Sequence, residues 1–295
     1  MKPLSQWRAE ANSFVAHGWR IVSWTSPTTD DQKPWLLLIH GFPTSSWDWT
    51  GVWPMLEGRF NLAAIDMLGF GLSEKPRTIN YRIADQADLQ EVLLEQLGVG
   101  DAHVLAHDYG DTVAQELLAR HNEGSLSFSL KSLLFLNGGL FPEQNRARPI
   151  QKIGLSPLGP LIGRIMSRES LRKAFDEIFG PDTKASEAEI DTHWALLKEN
   201  NGNRIFHKLL HYIPERREHR QRWVGAIQDA TIPIGLIDGG ADPVSGKHMY
   251  DYFKEMAPHA TAHLLETIGH YPQTEDPASV ARLFLKFHDT IGTPP

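Results

Sequence analysis

One carboxylate, Asp108, stands at the centre of Ala106-His107-Asp108-Tyr109-Gly110, between an apolar run and a helical pattern. A sharp strand-to-helix turn accepts only small residues two places before and after its exposed central position, and Ala106 and Gly110 meet that need. Alone, such an aspartate reads equally well as a helix cap. Two downstream residues alter the balance. Asp242, in Gly239-Gly240-Ala241-Asp242-Pro243, and His270, in Ile268-Gly269-His270-Tyr271-Pro272, each follow a strand-like run. Singly, Asp242 would be a turn residue before Pro243 and His270 one of 14 histidines. Together, nucleophile, acid and histidine in that order, each in a loop after a strand, describe a catalytic triad. Upstream, His40-Gly41-Phe42-Pro43 closes the first apolar run, and the backbone N–H groups of Phe42 and Tyr109 could form an oxyanion hole.

The residue type at the turn dictates the reaction. A serine attacking saturated carbon would form an ether, which water does not readily cleave. A carboxylate forms an ester, whose carbonyl carbon can take up water while the oxyanion hole holds the developing charge. His270, oriented by Asp242, is the base for that water. The expected electrophile is therefore an epoxide or an alkyl halide. Asp108 must be ionised to attack, and a helix N-terminus favours the anion by about 0.3–1 kcal/mol. Asp111, one turn on, either opposes that ionisation or binds first-turn amides, and the sequence leaves both open.

Buried parallel strands read as continuous apolar runs, and residues 35–40, 61–66, 103–106, 133–136 and 232–237 fit that description. Helical spacing appears at 84–97 and 112–120, so strands and helices alternate as in a parallel sheet covered on both faces. From 139 to 228 the pattern changes to helix after helix. Ser186 and Glu189 form a capping-box pair, and the stripe of Ile205, Phe206, Leu209, Leu210 and Ile213 is closed by Pro214. The basic run Arg216 to Arg222 reads as a solvated helix face. The expected organisation is an α/β core, 1–138 and 229–295, interrupted by an all-helical cap, 139–228.

The chain of 295 residues has a net charge of −7, which disfavours nucleic acid and anionic membranes as partners. It has no cysteine, so a thiol nucleophile and thiolate metal sites are excluded. No apolar stretch reaches the ~20 residues of a bilayer span, and the first residues lack a signal-peptide core, so a cytoplasmic location is expected. His207 and His211 have i, i+4 metal-ligand spacing but no accompanying HExxH glutamate, and no metal or cofactor is expected. The expected partners are a small hydrophobic substrate and water, in a monomer or homodimer.

The motifs HGFP, DMLGFGLS, HDYG, the Asp242 loop and GHYP occur in the order seen in the epoxide hydrolase and haloalkane dehalogenase branch of the α/β-hydrolases, which the chain resembles over nearly its whole length. HGFPTSSWDW, AHDYGDTVAQELL and FLNGGLFPE are most similar to the mesoderm-specific-transcript type. The resemblance implies the α/β-hydrolase fold, with Asp108, Asp242 and His270 as the triad. It also implies a cap tyrosine that protonates a departing epoxide oxygen, for which the helical block offers Tyr212. Dehalogenases hold a leaving halide with a tryptophan after the nucleophile and a further asparagine or tryptophan. Those places hold Tyr109 and Phe42 here, although Trp194 could supply one donor. Expected pocket residues are His40, Asn137, Trp194 and Tyr271. Epoxide hydrolysis is the favoured reaction, with haloalkane dehalogenation or non-catalytic binding of a ligand or partner as alternatives.

Overall fold

The computed structural model describes residues 1–291 except 28, 31 and 147. Eight strands form one sheet: β1 (Asn12–Ala16), β2 (Trp19–Thr25), β3 (Trp35–Ile39), β4 (Asn61–Asp66), β5 (Asp101–His107), β6 (Ser129–Leu136), β7 (Ile234–Gly239) and β8 (Thr261–Leu265). Their order is β1-β2-β4-β3-β5-β6-β7-β8, parallel from β4 onward, with β2 antiparallel to both neighbours.

The apolar runs are continuous because both faces of the sheet are covered. In β3, Leu37 and Ile39 enter one core cluster, and Leu36 and Leu38 enter the other. Parallel pairing also puts the chain exits of β3, β5, β6, β7 and β8 along one edge. Phe42, Asp108, Asn137, Asp242 and His270 follow those exits, so residues far apart in sequence converge there. β7 starts at Ile234 rather than at the expected Ile232: Pro233 has no N–H to donate, and only its carbonyl takes part, accepting Leu133 N–H at 3.1 Å.

Between β6 and β7 the described residues contain helices and no strand. The capping box forms as expected. Ser186 Oγ accepts from Glu189 N–H at 3.3 Å, and Glu189 Oε2 accepts from Ser186 N–H at 2.7 Å. The stripe at 205–213 is not one helix but a 3₁₀ segment (Glu199–Ile205) followed by helices Phe206–Leu209 and Tyr212–Glu218. Pro214 does not close it. It sits in the first turn of Tyr212–Glu218, where a missing N–H costs nothing. Among the described residues no helix is long and apolar enough to cross a membrane.

Candidate active site

Asp108 adopts φ 48° and ψ −103°, a strained conformation for a residue with a side chain, between the end of β5 and the helix Tyr109–Asn122. The requirement for Gly110 is steric, since a Cβ there would lie 2.5 Å from the Ile39 carbonyl oxygen and 2.6 Å from that of His40. The turn thus presses against the exit of β3 and brings Phe42 to Asp108. Phe42 N–H donates to Asp108 Oδ2 at 3.1 Å. Tyr109 opens the helix, so its amide is a first-turn N–H with no intrahelical acceptor.

Asp242 Oδ2 accepts from His270 Nδ1 at 2.7 Å, and the opposite ring nitrogen, Nε2, lies 4.0 Å from Asp108 Oδ2. Burial alone would raise the Asp242 carboxyl. The His270 charge and hydrogen bonds from His270, Val244 N–H and Ser245 hold it below the usual aspartate range. Burial pushes His270 down, but the Asp242 charge, its hydrogen bond and the Asp108 charge together raise it to about 9. At neutral pH these shifts favour an imidazolium at His270 paired with the Asp242 carboxylate. His107 steadies this loop by donating from Nε2 to the His270 carbonyl at 2.7 Å, which requires the tautomer protonated there.

Arg216 is the residue that sequence reasoning missed. Far from being a solvated face, it is 3% exposed, with Nη2 donating to the Asp108 carbonyl at 3.0 Å and lying 3.8 Å from Asp108 Oδ1. Its Nε donates to Thr112 Oγ1 at 2.6 Å, and its guanidinium lies 4.5 Å from the Tyr212 ring centroid. Gly139 makes room for it, since a Cβ there would lie 2.2 Å from Arg216 Nη1. Burial, then the Asp108 charge, push the Tyr212 hydroxyl well above its ordinary range, and Arg216 acts against them. The remaining arginines of the run are ion-paired to the core, Arg220 with Glu143 and Arg222 with Glu116 and Glu123.

Asp111 is fully buried, and burial followed by the Asp108 charge pushes its carboxyl well above the aspartate range. That direction favours the neutral form, which adds no second negative charge beside the nucleophile. Asp111→Asn is expected to keep kcat within about threefold of wild type across neutral pH, because a neutral group replaces a neutral group. Steady-state kinetics check this, and a loss of a hundredfold would mean that the carboxylate form is needed.

An apolar cavity of about 390 Å³ opens onto Asp108 and His270, with Phe42, Tyr212, Phe206 and Phe175 in its wall. Asp108, His270 and Tyr212 thus share one chamber. The four expected pocket residues do not line it. His40 is fully buried and engaged with backbone on both ring nitrogens, Nδ1 at the Gly41 carbonyl and Nε2 accepting from Met67 N–H. Asn137 ties β6 to β7, accepting from Gly239 N–H at 2.7 Å and donating to Asp242 Oδ2 at 3.2 Å. Tyr271 stacks on Phe179 and donates its hydroxyl to the Phe42 carbonyl at 3.2 Å, fixing the oxyanion loop from behind. Trp194 packs against the core clusters, with Lys198 over its ring. Among the described residues no group of three or more histidines, aspartates or glutamates is arranged to hold a metal ion.

A family model described as the alpha/beta hydrolase fold matches residues 34–277. The chain belongs to the α/β-hydrolase fold family. Among its relatives is the mesoderm-specific transcript homolog protein of Homo sapiens, 39% identical over 292 residues, covering 96% of this chain and 87% of that one. Among solved structures, a loop variant of the haloalkane dehalogenase DbeA from Bradyrhizobium elkanii superposes with a TM-score of 0.79 at 22% identity, covering 95% of this chain and 96% of its own. The epoxide hydrolase CorEH gives 0.77 at 23% identity, covering 95% and 98%. At such identities these two likenesses speak for the fold alone.

Proposed function

We propose that this α/β-hydrolase opens epoxides to vicinal diols through an ester on Asp108, with the helical block at 139–228 acting as the cap over the site. The observation that carries this reading is the placement of a carboxylate and a phenol, Asp108 and Tyr212, in the wall of one apolar cavity. An Asp108 oxygen attacks an epoxide carbon, the C–O bond breaks, and the departing oxygen takes a proton from Tyr212. The product is a hydroxyalkyl ester. Ester formation removes the Asp108 charge, one of the two that hold the His270 proton, so the imidazolium gives up that proton, which restores the Tyr212 phenol, and becomes the base. Water then attacks the ester carbonyl, one of its protons passes to His270, and the Phe42 and Tyr109 amides hold the oxyanion; collapse breaks the ester C–O bond, the departing diol oxygen takes the remaining proton of that water, and Asp108 is left as the carboxylate. No step calls for a metal or cofactor.

Haloalkane dehalogenation would use the same triad, but a leaving halide needs N–H donors in the cavity wall. Among the described residues that wall has no tryptophan or asparagine side chain, and its side-chain N–H donors besides His270 are Arg148, which Glu177 and the Ala174 carbonyl engage, Gln151 and Lys173. The cavity volume, about 390 Å³, suits a small hydrophobic substrate. Turnover of a terminal aryl epoxide to its diol, with no halide released from short bromoalkanes, is the expected result, and the reverse pattern would overturn this reading. Tyr212→Phe should lower kcat/KM for the epoxide by about 10²- to 10⁴-fold, the span of general-acid contributions. An activated epoxide whose oxygen leaves without a proton should lose far less, and equal losses on both substrates would remove Tyr212 from the proton path.

A further inference from the structure

Five of the eight large apolar side chains exposed among the described residues lie within one stretch of the helical block: Ile150, Ile153, Leu158, Leu161 and Ile165. Ile150 and Ile153 are one turn apart on helix Pro149–Gly154, Leu161 and Ile165 one turn apart on Gly159–Ile165, and the two helices pack together. Ile150 and Ile165 also line the catalytic cavity while being 40% and 79% exposed, so the cavity opens to the outside through this patch. Contiguous apolar surface of this kind marks an interaction site.

The charges within the segment itself are one-sided. Residues 144–168 include Arg146, Arg148, Lys152, Arg164 and Arg168 and no aspartate or glutamate, in a chain whose net charge is −7. Arg148 pairs with Glu177, and Arg168 with Glu187 and Asp191. Arg146, Lys152 and Arg164 are exposed and, among the described residues, have no ion-pair partner. At physiological salt a surface charge is felt over about 8 Å, so a partner at this face meets the cations and not the net charge of the molecule.

We propose that this face docks the protein onto an anionic lipid bilayer, with the cavity opening toward the acyl chains. Apolar side chains interspersed with free cations fit a headgroup boundary. A second copy fits worse, because a two-fold contact would bring Lys152 and Arg164 against their own equivalents with no acid in the segment to answer them. A protein partner seated there would cover the cavity opening, whereas a bilayer supplies what an apolar cavity takes up. The docking claim is independent of the reaction. The corollary, that the substrate is a lipophilic epoxide drawn from the bilayer, rests on the reading above.

The test is flotation of the full chain with vesicles of phosphatidylcholine alone and of phosphatidylcholine mixed with phosphatidylglycerol. Binding to the mixed vesicles is expected, weakened by salt. Substituting Lys152→Gln and Arg164→Gln should cut it by about 10- to 30-fold, given roughly fivefold per cation near such a surface. The apolar variant Ile153→Ser, Leu158→Ser, Leu161→Ser should abolish it, with the melting temperature and turnover of a water-soluble epoxide unchanged. These positions lie outside the cavity wall, so a catalytically dead wild type would still show the docking. Absence of vesicle binding at low salt, binding that survives both variants, or a concentration-dependent dimer dissolved by the apolar variant would each overturn the proposal.

Discussion

His270→Gln is expected to halt turnover with the substrate still bonded to Asp108. The two half-reactions place different demands on the site. Ester formation needs an ionised carboxylate, which sits at a helix N-terminus beside Arg216, and a proton donor in Tyr212. Ester hydrolysis needs a base, and His270 Nε2, 4.0 Å from Asp108 Oδ2, is placed for it, with Asp242 fixing the ring through Nδ1 at 2.7 Å. Removing the base should therefore slow the second step by about 10²- to 10⁴-fold while leaving the first largely intact. Mixing the variant with substrate should give one equivalent of product-like uptake and then stop. Mass spectrometry of the trapped protein distinguishes the electrophiles, since an epoxide adds its whole mass to the Asp108 peptide and a haloalkane adds its mass less HX. An unmodified Asp108 peptide in an inactive His270→Gln, or a variant as active as wild type, would remove the covalent mechanism.

The parts of this site legible in the sequence were those in which one residue type answers one local constraint. Gly110 announces the turn because the exit of β3 leaves no space for a side chain there. The apolar runs of β3 to β7 announce the sheet because both its faces are buried. β1 is an edge strand with an exposed face and gives no continuous run, nor is the antiparallel β2 beside it marked by one, while β8, the other edge strand, shows only as the strand-like run before His270. The same limit explains the pocket. His40, Asn137 and Tyr271 neighbour the triad in sequence, but their hydrogen bonds run to the backbone of Met67, Gly239 and Phe42, and only tertiary structure decides which way a loop side chain turns. Arg216 was hidden for the opposite reason. A cation among six polar neighbours looks solvated, and its destination is a carboxylate 108 residues away.

That concealed contact carries the second large expected effect. Arg216→Met should destabilise the protein by about 3 kcal/mol and slow ester formation, whereas Arg217→Met, at an exposed neighbour, should do neither. Methionine fills much of the volume but leaves the Asp108 carbonyl and Thr112 Oγ1 without the donors they have now. It also removes a buried cation 3.8 Å from Asp108 Oδ1. The anionic nucleophile loses that support, so the single-turnover alkylation rate, measured on the folded fraction, should fall by more than unfolding accounts for. Arg216→Lys keeps the charge but not the planar fork that reaches both Asp108 and Thr112, so it should restore the alkylation rate more than the stability. An alkylation rate unchanged in folded Arg216→Met would assign the arginine to tying the helical block onto the nucleophile helix and nothing more. A lowered rate means that closure of this block also supplies the charge beside the residue on which the chemistry depends.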